Sequence, residues 1–357
     1  MDQATNNMNA LTNISRIQVR PETLILLLGL YESKGKTFYY NDLFKRDKES
    51  LLQRTLEEDI YEIAQILKLD VTDSRVRLIS KREVVPKNKE EQLLINFKNV
   101  INKIHKGYKH FELLANEAQE LSKIISKNYE SVTWSKKQVT EREGLLATKK
   151  TYSARDDLEK LIEIYYEIKR DKKYEFTTVI TNFYVDFINL QIFDKLNNEI
   201  ALILLYALLF QHFPIFNYVS FFKHYNKYSE PLSYALNQAN YNWASSFSQT
   251  DNLNEIIYQI LVASYKEVDE YAHEYDFFKD LNKTDSLENT ILKFTKQFTK
   301  EELRIEHPNI SDSTINQTLK RLREEQKIMS LGTGRSAKWQ VIIDNTNYTH
   351  LSIFDDE

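Results

Sequence analysis

The sequence predicts a mainly α-helical protein: a helical core followed by a small C-terminal unit of three helices and a β-hairpin. Only 6 Gly and 5 Pro occur among 357 residues, so few tight turns can be built and long helices are favoured. Apolar residues also recur through most of the chain at the spacing of one helix face. This length is enough for two or three domains at roughly 100–200 residues each.

The composition excludes several classes of protein. There is no cysteine, which rules out disulfides, thiolate nucleophiles and Cys-ligated zinc. The formal net charge of −4 gives no attraction of the whole chain to nucleic acid. The N-terminal stretch is too polar for a signal peptide, and the longest apolar run, Ile200–Phe210, is shorter than the ~18 residues of a membrane span. A soluble cytoplasmic protein is expected.

Helical patterns occupy the first three quarters of the chain. Residues 1–15 are predicted to be disordered, and 16–85 to form an N-terminal helical region in which Pro21 suits a first turn and Gly35 a helix end. Residues 75–85 fit either a strand or a helix start. Residues 86–278 are predicted to form one helical domain, with a helix break near Gly107 and a polar loop or flap over 129–152.

One segment of this domain, FINLQIFDKLNNEIALILL (187–205), places a polar loop between two apolar stretches. The second stretch is apolar all round, which predicts a central buried helix. Asp194, Asn197 and Asn198 could offer oxygen ligands, and a helix start attracts anions. However, the loop has no glycine, and Glu199 in the first turn would repel a phosphate by ~1 kcal/mol in water, or ~4 kcal/mol near a protein surface, at about 4 Å. By these criteria the loop is a structural helix start.

The C-terminal unit is predicted over residues 279–345, with a tail at 346–357. Two helices are followed by a third that Ser311 caps, and two short strands then flank a turn with Gly332 and Gly334. Three apolar residues of the third helix share one face and should pack inward: Ile315, Leu319 and Leu322. The opposite face presents Ser313, Asn316, Gln317 and Lys320.

This unit resembles the winged-helix domains of transcriptional regulators. The resemblance implies that the third helix enters the DNA major groove. Six cations against two acids lie between Lys320 and Lys338, where phosphates would lie. The candidate DNA-binding residues are Ser313, Asn316, Gln317, Lys320, Arg321, Lys327, Arg335 and Lys338. Glu324 and Glu325 favour an alternative, a protein-interaction or dimerisation module.

Residues 153–265 resemble the Fic domain, a helical family that transfers AMP or related groups to protein hydroxyls. Its motif, H-P-F-x-[D/E]-G-N-G-R-x-x-R, lies between two helices, and Phe193 and Asn197 match it. The segment YVSFFKHYNKYSEPLSYALNQA (218–239) is similar to the family's helix downstream of that motif. The resemblance implies a Fic-like helical core. The positions of the degenerate motif are Gln191, Phe193, Lys195, Leu196, Asn197, Asn198, Glu199 and Leu202.

The departures from the motif concern its chemistry. Gln191 stands where the family has its general-base histidine, and an amide has no usable basic site near neutral pH. Leu196 and Asn198 replace the glycines that wrap the phosphates, and Glu199 and Leu202 replace the arginines that bind them. Ile192 replaces the proline, and Lys195 stands at the acidic metal-binding position. The resemblance therefore implies a transferase site that has lost its catalytic function.

The leading hypothesis is a catalytically inactive Fic-like protein that binds DNA and regulates transcription through its winged helix. We expect DNA as a partner, allow for a homodimer, and expect no catalytic residues, cofactor, metal site, membrane or nucleotide binding. Two alternatives stay open. One is a divergent nucleotide-dependent transferase acting through Asp194, Asn197 and the polar flap 129–152. The other is an interaction module that does not touch DNA.

Overall fold

The computed structural model of the chain describes residues 9–143, 146–279, 283–308, 310–332 and 337–342. The chain divides into two compact units, Met1–Asp269 and Glu270–Glu357. Their boundary falls earlier than the one predicted at residue 279. The predicted tail at 346–357 lies outside the described residues.

The first unit consists of helices and one hairpin. Its elements in chain order are α1 (Pro21–Gly35), α2 (Thr37–Leu43), α3 (Lys48–Ile66), α4 (Asp73–Lys81), α5 (Lys89–Gly107), α6 (Ala115–Ser126), β1 (Lys136–Glu143), β2 (Leu146–Ser153), α7 (Ala154–Asp171), α8 (Phe176–Leu190), α9 (Asn197–His212), α10 (Phe221–Lys227), α11 (Ser229–Tyr241) and α12 (Asp251–Lys279), which runs into the second unit. The break predicted near Gly107 is where α5 ends. None of the helices that the structure describes is both long and apolar enough to cross a lipid bilayer.

Helix α9 is at the centre of the first unit, as its sequence predicts. Every residue from Ile200 to Phe210 is buried. The ring of Tyr206 lies 4.9 Å from that of Phe222 and 5.4 Å from that of Phe221. Burying one large apolar side chain contributes roughly 1.5–3 kcal/mol, so this helix is a main source of the core's stability. Helix α8 is also mostly buried and carries the loop that precedes α9.

The segment before α1 is ordered over residues 9–16, with a 3₁₀ turn at Ile14–Arg16. The backbone N–H groups of Ala10 and Leu11 each donate to the carboxylate of Asp186 in α8, at 2.8 Å. The prediction of disorder is therefore wrong for residues 9–15. The buried carboxylate of Asp186 in a distant helix holds this segment in place by accepting two of its backbone hydrogen bonds. Residues 1–8 lie outside the described residues.

The N-terminal helices α1–α4 belong to the same unit as the core. Helix α3 packs on α5 and α10. The stretch 75–85, for which either a strand or a helix start fits the sequence, contributes its first seven residues to helix α4, which buries Val76 and Ile79. Their spacing of three residues places both on the inner face.

The polar segment predicted as a loop or flap contains an antiparallel hairpin. Strand β1 pairs with β2 from Lys136 opposite Ser153 to Glu143 opposite Leu146. The sequences KKQVTERE and LATKKTYS lack a regular alternation of apolar and polar residues. The usual signal of a half-buried strand is therefore missing here.

The second unit is a helical layer with a three-stranded sheet. After α12 come α13 (Lys283–Lys293), β3 (Phe298–Thr299), α14 (Lys300–Glu306), α15 (Asp312–Glu324), β4 (Ile328–Ser330) and β5 (Lys338–Val341). The sheet is antiparallel with order β3-β5-β4. Ile315, Leu319 and Leu322 are buried in its core, as predicted. Strand β3 adds to the two strands predicted from sequence.

Candidate functional site

Helix α8 ends at the motif loop with a glutamine that caps it. Gln191 has a left-handed backbone, with φ 47° and ψ 59°. Its side-chain Nε2 donates to the carbonyl of Ile188 at 2.7 Å, and its backbone N–H donates to the same carbonyl at 3.2 Å. The amide at the motif's first position thus closes the C-terminus of α8.

The loop is joined along one side to the segment before the hairpin. Ser135 N–H donates to the carbonyl of Ile192 at 3.0 Å, and the Trp134 ring stacks on that of Phe193 at 4.7 Å. Thr133 donates to both carboxylate oxygens of Asp194, from its N–H at 2.7 Å and from its hydroxyl at 3.0 Å. Asp194, considered as an oxygen ligand, is thus engaged in holding two segments together.

Asn197 holds the loop from within. Its Oδ1 accepts from the N–H of Phe193 at 3.1 Å, and its Nδ2 donates to the carbonyl of Ile188 at 3.3 Å. The side chain is buried. The amide that matches the family motif therefore connects the end of α8 to the start of α9.

Leu196 has the backbone that a glycine adopts readily. Its φ is 53° and its ψ is 25°, in the left-handed region. An L-residue in this region costs roughly 1–2 kcal/mol. The motif has glycine at this position, so the loop keeps a glycine-like conformation although a leucine occupies it.

The charges of the loop do not favour an anion. The ammonium of Lys195 lies 2.5 Å from a carboxylate oxygen of Glu130. Glu199 lies in the first turn of α9, and Leu202 is buried. Asn198 is exposed, whereas Leu196 and Glu199 are half-buried. The helix start thus carries a negative side chain, and the loop's lysine is already paired.

His212 lies at the opposite end of α9 from the loop, where it is the last helical residue. Burial lowers its pKa to about 3, with further contributions from Lys169 and Lys34. A neutral imidazole at the far end of a 16-residue helix is too distant to act at the loop.

The outer face of α15 is formed as the sequence predicts. The Ser311 hydroxyl caps the helix by accepting from the N–H of Thr314 at 3.2 Å. All four residues predicted for this face are exposed: Ser313, Asn316, Gln317 and Lys320. Short polar side chains at the start of a helix with a cation one turn further along are suited to base edges and phosphates respectively.

Acidic residues pair with three of the predicted DNA-binding cations. Lys320 lies 3.9 Å from Glu324. Arg321 pairs with Glu288 of α13 and, at 3.3 Å, with Glu325. Lys327 lies 2.9 Å from Glu288 and 2.8 Å from Glu325. These acids lower the positive charge available at this face. Lys338 on β5 is exposed and has no ion pair among the described residues, and Arg335 lies outside them.

Arg323 also belongs to this face, although it was not predicted as a DNA-binding residue. It is exposed and makes no ion pair within the part of the chain that the structure describes. It follows Asn316 by seven residues and Lys320 by three, so all three lie on one side of α15. This spacing can be seen in the sequence, and it indicates that Arg323 lies on the same face as the predicted DNA-binding residues.

Comparisons with known proteins support the fold. No protein-family model matches the chain, and no curated protein does. Its structure is similar to that of a Fic family protein from Desulfovibrio desulfuricans G20, with a TM-score of 0.54 and 13% sequence identity, over 91% of this chain and 97% of that chain. Similarity at this identity concerns the fold alone. The predicted mainly helical class is confirmed, and the helical core of this chain has a Fic-like fold.

Proposed function

We propose that this chain is a DNA-binding regulatory protein whose Fic-like core no longer transfers nucleotide groups. The observation that carries the proposal is the exposed polar face of α15 within a helix–strand–helix–helix–strand–strand order. That order is the one of a winged helix-turn-helix, in which the third helix reads the major groove.

The contacts within the loop between α8 and α9 support the proposal that the core does not transfer nucleotide groups. Asn197, Asp194 and Lys195 all have partners within the fold. Gln191 cannot accept a proton from a hydroxyl, and loss of a general base alone typically costs ~10²–10⁴ in rate. These contacts hold the loop in place, as in a structural turn.

The electrostatics of the proposed DNA surface are modest. Lys320, Arg323 and Lys338 are exposed cations, of which Lys320 lies 3.9 Å from the exposed Glu324, whereas Arg321 and Lys327 are held more closely by Glu288 and Glu325. Three phosphate contacts predict that log K falls with log salt with a slope of about −3. Binding should therefore be clear at low salt and weak at physiological salt unless a preferred sequence adds base contacts.

Fluorescence anisotropy of the full chain with a labelled random duplex, between 50 and 200 mM salt, tests DNA binding. Lys320→Ala and Arg323→Ala should each weaken binding and reduce the salt slope by about 1. Lys296→Ala is the matched control, because Lys296 is an exposed lysine outside α15 and β5. Failure to bind DNA at 50 mM salt would favour the interaction module.

A second assay tests the inactive core. Incubation of the full chain with labelled ATP, CTP, GTP or UTP and a cell lysate should transfer no label to protein. Labelling that Asn197→Ala abolishes and the neighbouring exposed variant Asn198→Ala preserves would instead support the divergent transferase.

A further inference from the structure

Helix α1 is apolar around most of its circumference but buries little of it. Its sequence, PETLILLLGLYESKG, places leucine, isoleucine or tyrosine on several sides, yet its buried residues are Thr23 and Leu30. Ile25 is 71% exposed and Leu28 is 64% exposed. A helix of this composition is ordinarily covered on all sides.

The exposed apolar surface continues into α2. Lys36 joins the two helices with φ −74° and ψ −4°, in the right-handed region, so the helical spacing is nearly preserved. Phe38 follows Tyr31 by seven residues and is 82% exposed. The resulting face, which we call the α1 face, consists of Leu24, Ile25, Leu28, Tyr31 and Phe38. It exposes roughly 600 Å², the upper limit for the largest apolar patch of an ordinary monomer.

Gly29 gives a second, independent observation. It lies in the interior of α1, where glycine is less stable than alanine. A Cβ added at this position would meet no atom of the described residues within 4 Å, apart from its own helix backbone. Nothing described in the monomer requires glycine here, whereas a second helix packed closely against α1 would.

We propose that the α1 face is the interface of a homodimer, in which α1 packs antiparallel to α1 of a second copy near Leu28 and Gly29. Leu24 and Ile25 precede Leu28 by about one turn and Tyr31 follows it by about one turn, so the face is complementary to itself under a two-fold axis. Two such faces would bury roughly 1,200 Å², the lower limit of a stable specific interface.

The charges of α1 favour a second copy over a lipid surface. A helix that lies on a membrane has lysine and arginine beside its apolar face. Glu22 and Glu32 are exposed, Lys34 is half-buried against the rings of Tyr31 and Phe213, and the flanking Arg20 and Lys36 are paired with Glu255 and Asp269. Anionic headgroups would repel the two glutamates, whereas in an antiparallel pair centred on Leu28 the two Glu32 side chains lie about 12 Å apart along the helix axis.

The oligomeric state of the full chain tests the proposal, by light scattering and sedimentation from about 1 to 100 µM. The expected mass is twice the monomer's 42.4 kDa. Leu28→Glu should raise the dissociation constant at least 100-fold. Leu114→Glu is the matched control, since Leu114 is a 48%-exposed leucine outside the α1 face, and it should remain dimeric. Matching circular dichroism and thermal melting of both variants would exclude misfolding.

Crosslinking gives a second readout, because the chain has no cysteine of its own. Leu28→Cys should form a disulfide-linked dimer under mild oxidation, and Leu114→Cys should not. A monomer at every concentration overturns the proposal, as does a dimer that Leu28→Glu leaves unchanged. A monomeric Leu28→Cys variant that thiol reagents cannot label would also overturn it, because another part of the same chain would then cover the face. None of these outcomes depends on DNA binding.

Discussion

Asp186 is a buried carboxylate that holds a distant segment in place. It accepts from the backbone N–H groups of Ala10 and Leu11 and from the indole of Trp243, at 2.6 to 2.8 Å. Burial raises its pKa to about 6, although these hydrogen bonds act in the opposite direction. The carboxyl is thus more easily protonated in the folded chain than in the unfolded one.

The sign of the pH dependence follows from this shift. A carboxyl whose pKa rises on folding contributes stability that is fully present below the unfolded pKa of about 3.9 and is lost as pH rises through about 6. We predict that the free energy of unfolding of the wild type, relative to Asp186→Asn, falls by about 2 kcal/mol between pH 4 and pH 7. Urea unfolding at several pH values measures this difference, and a constant difference would contradict it.

Asn197 is the residue at which a structural role can be separated from a chemical one. Replacing it with alanine leaves the N–H of Phe193 without an acceptor, whereas the carbonyl of Ile188 keeps its two hydrogen bonds from Gln191. One unsatisfied buried group costs roughly 1–3 kcal/mol, so we predict that Asn197→Ala destabilises the chain by about 1–3 kcal/mol. Thermal unfolding would show it. The exposed neighbour Asn198→Ala should change stability by less than about 0.5 kcal/mol.

At the level of elements, α13 and α15 are linked by a charge network with Glu288 at its centre. Lys327 and Arg321, which are bonded to this carboxylate, lower its pKa below the usual range. Both cations were predicted from the sequence as phosphate contacts. While they neutralise Glu288, they contribute less to an attraction for DNA.

Glu288→Gln should therefore strengthen DNA binding. The variant removes one of the two carboxylates that pair with Arg321 and Lys327, and Glu325 remains. This predicts a several-fold tighter complex at 50 mM salt and a salt slope steeper by about 1. Glu301→Gln removes one exposed acid from α14 and is the control for net charge. If both variants bind equally tightly, the effect is one of overall charge, and the network does not regulate the interface.

At the scale of the whole molecule, the helices follow from local sequence and the contacts between distant segments do not. The run Ile200–Phe210 has so little polarity that only a buried helix fits it, and Ser311 with Ile315 and Leu319 defines α15 in the same way. The order of residues 9–15 depends on Asp186, which no local pattern reveals. The hairpin is hidden because its strand sequences lack a regular alternation of apolar and polar residues.

For the candidate loop, too, the local features follow from the sequence and the distant contacts do not. Its loss of basic and cationic groups can be read from Gln191 and Glu199 alone. The partners of its remaining polar groups, Thr133 for Asp194 and Glu130 for Lys195, lie more than 60 residues earlier in the chain. Sequence spacing cannot supply them, because they are brought to the loop by the path of the chain between α6 and β1.

The attachment of residues 9–11 to α8 also bears on the order in which the chain folds during synthesis. Ala10 leaves the ribosome 176 residues ahead of Asp186, and Trp243 follows after a further 57. At a translation rate of roughly 5–20 residues per second, on the order of 10–50 s pass between the synthesis of Ala10 and that of Trp243, which completes the contacts of this segment. Asn9–Leu11 must therefore be among the last parts of the first unit to reach their final position, although they are synthesised before the helices that hold them.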